Sequence, residues 1–106
     1  MSIFLDIMKE ELERNRFSQQ AFNEEISQFP KGYLSICNIG GKSYVYRKRR
    51  EGNKIISEYI GVVGDQASQQ AEKDRKEYLS LSEGLKNLKK DEKRLKEAIR
   101  AYEKLL

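Results

Sequence analysis

Over the first 29 residues the apolar positions Leu5, Met8, Leu12, Phe22, Ile26 and Phe29 fall on a three-and-four spacing, with Asn15 and Gln19 at the two seam positions between them. That spacing predicts an amphipathic helix from about Ser2 to Gln28, roughly 40 Å long and polar in its middle. Pro30 and Gly32 in FPKGY should end it, because the residue before a proline is driven out of helical geometry and glycine admits the turn. Residues 33–61 then change period from helical to alternating. YLSICNI reads as a strand, Gly40-Gly41 as a two-residue hairpin turn, KSYVYRKRR as a second strand, EGN as another turn and KIISEYIG as a third strand. A three-stranded antiparallel meander follows. Tyr44, Tyr46 and Lys48 share one face of it and Val45, Arg47 and Arg49 the other, while in the third strand Ile56 and Ile60 oppose Ile55 and Tyr59. Neither face is wholly polar, so one is expected to cover a helix and the other to present tyrosines or arginines outward.

From Asp65, the expected N-cap, to Leu106 there is no proline, and apolar residues recur at Ala71, Tyr78, Leu81, Leu85, Leu88, Leu95, Ile99, Tyr102 and Leu106. Asp74 and Glu92 occupy the two remaining seam positions. The pattern predicts a coiled-coil-like helix of about 60 Å, and Gly84 marks where it would kink or split into two antiparallel helices, at about 1 kcal/mol relative to alanine. Its apolar stripe requires a partner: the first helix, its own second half or another chain. The expected class is α+β, organised as an acidic helix (1–29), a basic three-stranded sheet (30–64) and a long helix (65–106) in one compact unit.

Composition limits the chemistry. With 38% hydrophobic and 36% charged residues in 106, the core is thin and a deep substrate pocket is not expected. The chain has no His and one cysteine, Cys37, which removes His acid/base catalysis, a Cys/His nucleophile pair and any Cys/His metal site within one chain. No catalytic residue, metal or cofactor is therefore expected, and the reading is non-enzymatic. Cys37 reads as a small strand residue. The start MSIFLDIMKEELERNR has neither the basic opening nor the apolar run of a signal peptide, and no stretch approaches the ~20 apolar residues of a membrane span. The expectation is a soluble, cytoplasmic protein without a membrane role.

Charge is unevenly spread. Residues 1–29 hold three Lys or Arg against six Asp or Glu, residues 30–60 seven against two, and residues 61–106 eleven against nine. The middle segment is thus the part that would meet an anionic partner. Within it, Arg47, Lys48, Arg49 and Arg50 are consecutive, Lys42 and Lys54 are near, and Tyr44 and Tyr46 are interleaved. This is the composition of a phosphate-binding surface with stacking side chains, since arginines bond phosphate in bidentate fashion and a two-stranded ribbon fits a major groove. The bland alternative is a solvated hairpin whose cations block edge pairing. Tyr33, Tyr44, Tyr46 and Tyr59 have the chemistry to stack on bases, but as a set they read first as cross-strand packing that holds a small sheet together. The second basic run, Lys86 to Lys96, contains Asp91 and Glu92 and reads as a solvated helix face with an i,i+4 pair.

The stretch Phe29 to Gly61 resembles a small uncharacterised prokaryotic family. The resemblance rests on Pro30, Lys31 and Gly32; Gly41, Lys42, Tyr44 and Tyr46; Arg50, Glu51 and Gly52; and Tyr59, Ile60 and Gly61, a hairpin that in this family precedes a charged helix. It covers about a third of the chain well and the long helix loosely. The hairpin is also similar to the front end of some insertion-sequence transposases and of the arm-binding domain of phage integrases, which implies nucleic-acid contact. The acidic first helix departs from those arms.

The expected function is an accessory binding protein, of phage or mobile-element origin, that docks Lys42, Tyr44, Tyr46, Arg47, Lys48, Arg49, Arg50 and Lys54 on nucleic acid or a nucleoprotein. The alternative is a protein inhibitor of antitoxin or anti-CRISPR type, whose acidic helix mimics nucleic acid and whose coiled coil contacts a protein target. A homodimer through the C-terminal helix is the third arrangement the seam would serve.

Overall fold

The computed structural model describes residues 2–106, in the order α1 (Ile3–Ile26), β1 (Tyr33–Ile39), β2 (Lys42–Glu51), β3 (Lys54–Val62) and α2 (Gln66–Glu103). The α+β class, the antiparallel meander β1-β2-β3 and the long C-terminal helix are as the pattern predicts. The chain divides into two compact units, one formed by α1 with Ser80–Leu106 and the other by Phe29–Leu79. Among the described residues, no helix is long and apolar enough to cross a membrane.

In the first unit, α1 is capped by Ser2, whose Oγ accepts from the Leu5 N–H at 3.4 Å and donates to Tyr102 Oη at 2.9 Å. Asn15, 8% exposed, donates from Nδ2 to the Leu88 carbonyl at 2.8 Å, and the Phe22 ring lies against Gly84. Pairing of the start of α1 with the end of α2 makes the two helices antiparallel. The heptad stripes of both are the buried and half-buried positions, apart from Leu106, which is exposed. Three polar seam residues find partners: Gln19 Nε2 donates to Asn15 Oδ1 at 2.7 Å, and the flanking Arg16 Nε donates to Glu92 Oε2 at 3.2 Å. The Asn15–Leu88 and Arg16–Glu92 bonds, which run between the helices, fix register, because a slip would strand polar groups against apolar ones.

Gly84 does not split the helix: α2 is a single element of 38 residues. A Cβ at that position would overlap the Phe22 ring, so the glycine leaves room for that ring of α1.

In the second unit, α2 starts on a built cap. Asp65 Oδ1 accepts from the Ser68 N–H at 2.7 Å and Oδ2 from the Val62 N–H at 2.9 Å, so one carboxylate ties the end of β3 to the start of the helix. The carboxylate lies against Gly61, where any Cβ would displace it. Ser68, Ala71 and Val45 are buried in this unit. Arg75 Nη1 donates to the Gly32 carbonyl at 3.0 Å, and its guanidinium sits 5.3 Å from the centre of the Tyr78 ring, which also meets Phe29 edge-on. Ala71, Asp74 and Tyr78 thus continue the stripe of α2 but face the sheet, where they enclose a small gap with Leu34 and Arg47.

Candidate functional site

Two tight turns set the sheet. Gly40 and Gly41, with φ of 57° and 81°, close β1 onto β2 in the geometry of a type I′ turn. Gly52, with φ of 60°, precedes Asn53 in the second turn, so Glu51 belongs to β2 and pairs with Lys54. The β2–β3 register shifts between Val45, which faces Gly61, and Tyr46, which faces Tyr59, leaving Ile60 as an extra residue. This bulge carries Val62 onto the face of Tyr44 instead of the face of Ile60.

The four-cation run is divided by the pleat. Arg47 and Arg49 lie on the face with buried Val45. Arg47 Nη1 stands 3.9 Å from Glu58 Oε2, Arg49 Nη1 4.0 Å from the same oxygen, and Arg49 Nε 3.2 Å from Glu51 Oε1. The Arg47 side chain is only 16% exposed and lines the gap against α2. These two arginines are structural partners of the sheet's only carboxylates, Glu51 and Glu58. Lys54, opposite Glu51, is on their face at the hairpin tip.

Lys42, Lys48 and Arg50 alternate onto the opposite face with Tyr44 and Tyr46. Register places Tyr33 beside Lys48, Ser35 beside Tyr46 and Cys37 beside Tyr44, with Ser57, Tyr59 and Val62 completing the face from β3. No carboxylate belongs to this face, and among the described residues none of its three cations has a salt-bridge partner. Tyr59 is its aromatic centre, 6.2 Å from Tyr44 and 5.6 Å from Tyr46 between ring centroids. The rings meet tilted or edge-on, which is favourable cross-strand packing.

Of the eight residues singled out from sequence, the structure therefore brings Lys42, Tyr44, Tyr46, Lys48 and Arg50 together and sets Arg47, Arg49 and Lys54 on the other side. Tyr59 and Tyr33 complete the open face and were outside that set. Alternation alone placed Tyr59 on a face, but its position opposite Tyr46 depends on the turn length and the bulge. The Lys86–Lys96 run behaves as a solvated helix face, with Lys96 Nζ 3.9 Å from Glu92 Oε1. Hydrogen bonding from Arg16, opposed by burial and reinforced by Gln19, Lys96 and the Arg16 charge, holds the Glu92 carboxyl below the ordinary carboxylate value.

Among the described residues, no three His, Cys, Asp or Glu side chains come together to hold a metal ion. Compared with known proteins, the chain matches no family model, no curated protein and no solved structure.

Proposed function

We propose that this chain is a non-enzymatic docking protein that binds nucleic acid through the open face of its sheet. The observation that carries the reading is the segregation of charge across the pleat. Both carboxylates of the sheet are neutralised on the helix-facing side by Arg47 and Arg49, while Lys42, Lys48 and Arg50 stand on the other side among tyrosines with no counter-charge among the described residues. A surface that only needed solubility would mix signs, whereas one that tracks a phosphate backbone benefits from a single sign.

The test is a salt titration of binding to duplex DNA, single-stranded DNA and RNA. Three phosphates neutralised by three cations correspond to a log-log slope of about −2 to −3. Binding that ignores salt, or no binding to any of the three, would sink the reading.

A second reading has its own observation. In the first unit Ile3, Phe4, Ile7, Phe17, Leu105 and Leu106 are exposed. Large exposed apolar side chains on an acidic helix favour a protein target, as an inhibitor would have. Capture of a partner that Phe17→Glu abolishes, with nucleic-acid binding absent throughout, would favour it.

A further inference from the structure

Resting on the reading that the open face binds nucleic acid, we propose that its ligand is a single strand with unpaired bases, stacked on a platform of Tyr44, Tyr46 and Tyr59. The Tyr59 ring is tilted 52° to Tyr44 and 67° to Tyr46, so it is stacked face to face with neither. Tyr59, at the hub, is 54% exposed, and Tyr33, beside Lys48, is 49% exposed. Serines flank the platform: Ser35 lies opposite Tyr46 and Ser57 opposite Lys48, leaving low walls where a base has room to descend.

The cations bracket this platform. Lys42 stands two residues before Tyr44 and Lys48 two after Tyr46, about 20 Å apart along the strand at ~3.3 Å per residue, with Arg50 beyond. A backbone held at both ends can lay the intervening bases over the rings. A duplex keeps its base faces inside the stack, so it would meet the same surface with phosphates alone and leave exposed Tyr59, Ile55 and Ile39 unused. Apolar and aromatic area on a face without carboxylates is what an unpaired strand needs and what a duplex backbone does not.

The experiment is fluorescence anisotropy of the full chain with a labelled 20-nucleotide oligo(dT), free and annealed to oligo(dA), at one fixed salt concentration. The expected result is tighter binding of the free strand by tenfold or more. Tyr59→Leu should weaken the free strand about 5- to 150-fold, the range for losing one stacked base, and leave the duplex unchanged. Tyr59→Phe, which keeps the π face, should stay within about threefold of wild type. Circular dichroism checks that both variants retain the sheet, and Tyr33→Leu provides a second substitution at an exposed ring. Equal affinity for strand and duplex, both lost in Lys48→Ala/Arg50→Ala, overturns the single-strand assignment and leaves the binding face standing. Absence of binding to either probe and to a 20-nucleotide oligo(U) overturns both readings.

Discussion

Replacing Lys48 and Arg50 by alanine should have a different consequence from replacing Arg47 and Arg49, although the four residues are adjacent in the chain. Lys48 and Arg50 lie on the open face without counter-charges among the described residues, so under the proposed function their loss should remove two phosphate contacts and leave the fold alone. At about 0.7 to 0.9 per contact the log-log salt slope becomes shallower by roughly 1.4 to 1.8. The ratio of wild-type to variant affinity should therefore grow about 7- to 12-fold between 200 mM and 50 mM salt. Arg47 and Arg49 instead pair with Glu58 and Glu51, at distances from 3.2 to 4.0 Å, and the Arg47 stem is covered by α2. The ion pairs are part-exposed and contribute at most ~1 kcal/mol, but the buried methylenes of Arg47 bring the loss of stability to about 1–2 kcal/mol. The double variants are compared by salt-dependent anisotropy and by urea unfolding. If removing Arg47 and Arg49 flattens the salt slope as much as removing Lys48 and Arg50, the pleat does not sort the cations and the argument fails.

Three further outcomes follow from the packing. Asp65→Ala removes an N-cap and the link to the Val62 N–H together, so urea unfolding should show a loss of about 1–2 kcal/mol, and an effect of a few tenths would mean that the carboxylate is not shared. Gly84→Ala should not show the ~1 kcal/mol gain usual for an exposed helix glycine, because its methyl meets the Phe22 ring at an overpacking cost of about 1–3 kcal/mol. A full gain in melting temperature would show that the ring yields freely. The lowered pKa of Glu92 means that its pairing with Arg16 stabilises fully above the ordinary carboxylate pKa and is lost as pH falls through the depressed folded value. Thermal melts should accordingly separate wild type from Glu92→Gln at neutral pH and converge on acidification, and a gap that persists in acid would contradict the assignment.

Much of this molecule is written in local pattern. The three-and-four spacing of α1 and α2, the Gly40-Gly41 turn, the Pro30 boundary and the Asp65 cap depend on neighbours within a few residues, and each was legible without a structure. Alternation also placed Tyr44, Tyr46 and Lys48 on one face and Val45, Arg47 and Arg49 on the other. What periodicity could not supply is the identity of the partner across a face. The stripe on α2 is continuous from Ala71 to Tyr102, yet Ala71 and Tyr78 meet the sheet while the residues from Leu81 onward meet α1, because an apolar stripe specifies burial and not against what. Gly84 reads as a helix weakness in one dimension and as the seat of Phe22 in three. The candidate site divides in the same way. Four consecutive cations look like one patch, but only cross-strand register brings Glu51 and Glu58 to Arg47 and Arg49, and only the bulge at Ile60 sets Tyr59 and Val62 together beside Tyr44. Charge neutralisation and ring contact depend on distances between strands, which the turns and the bulge establish and composition does not record.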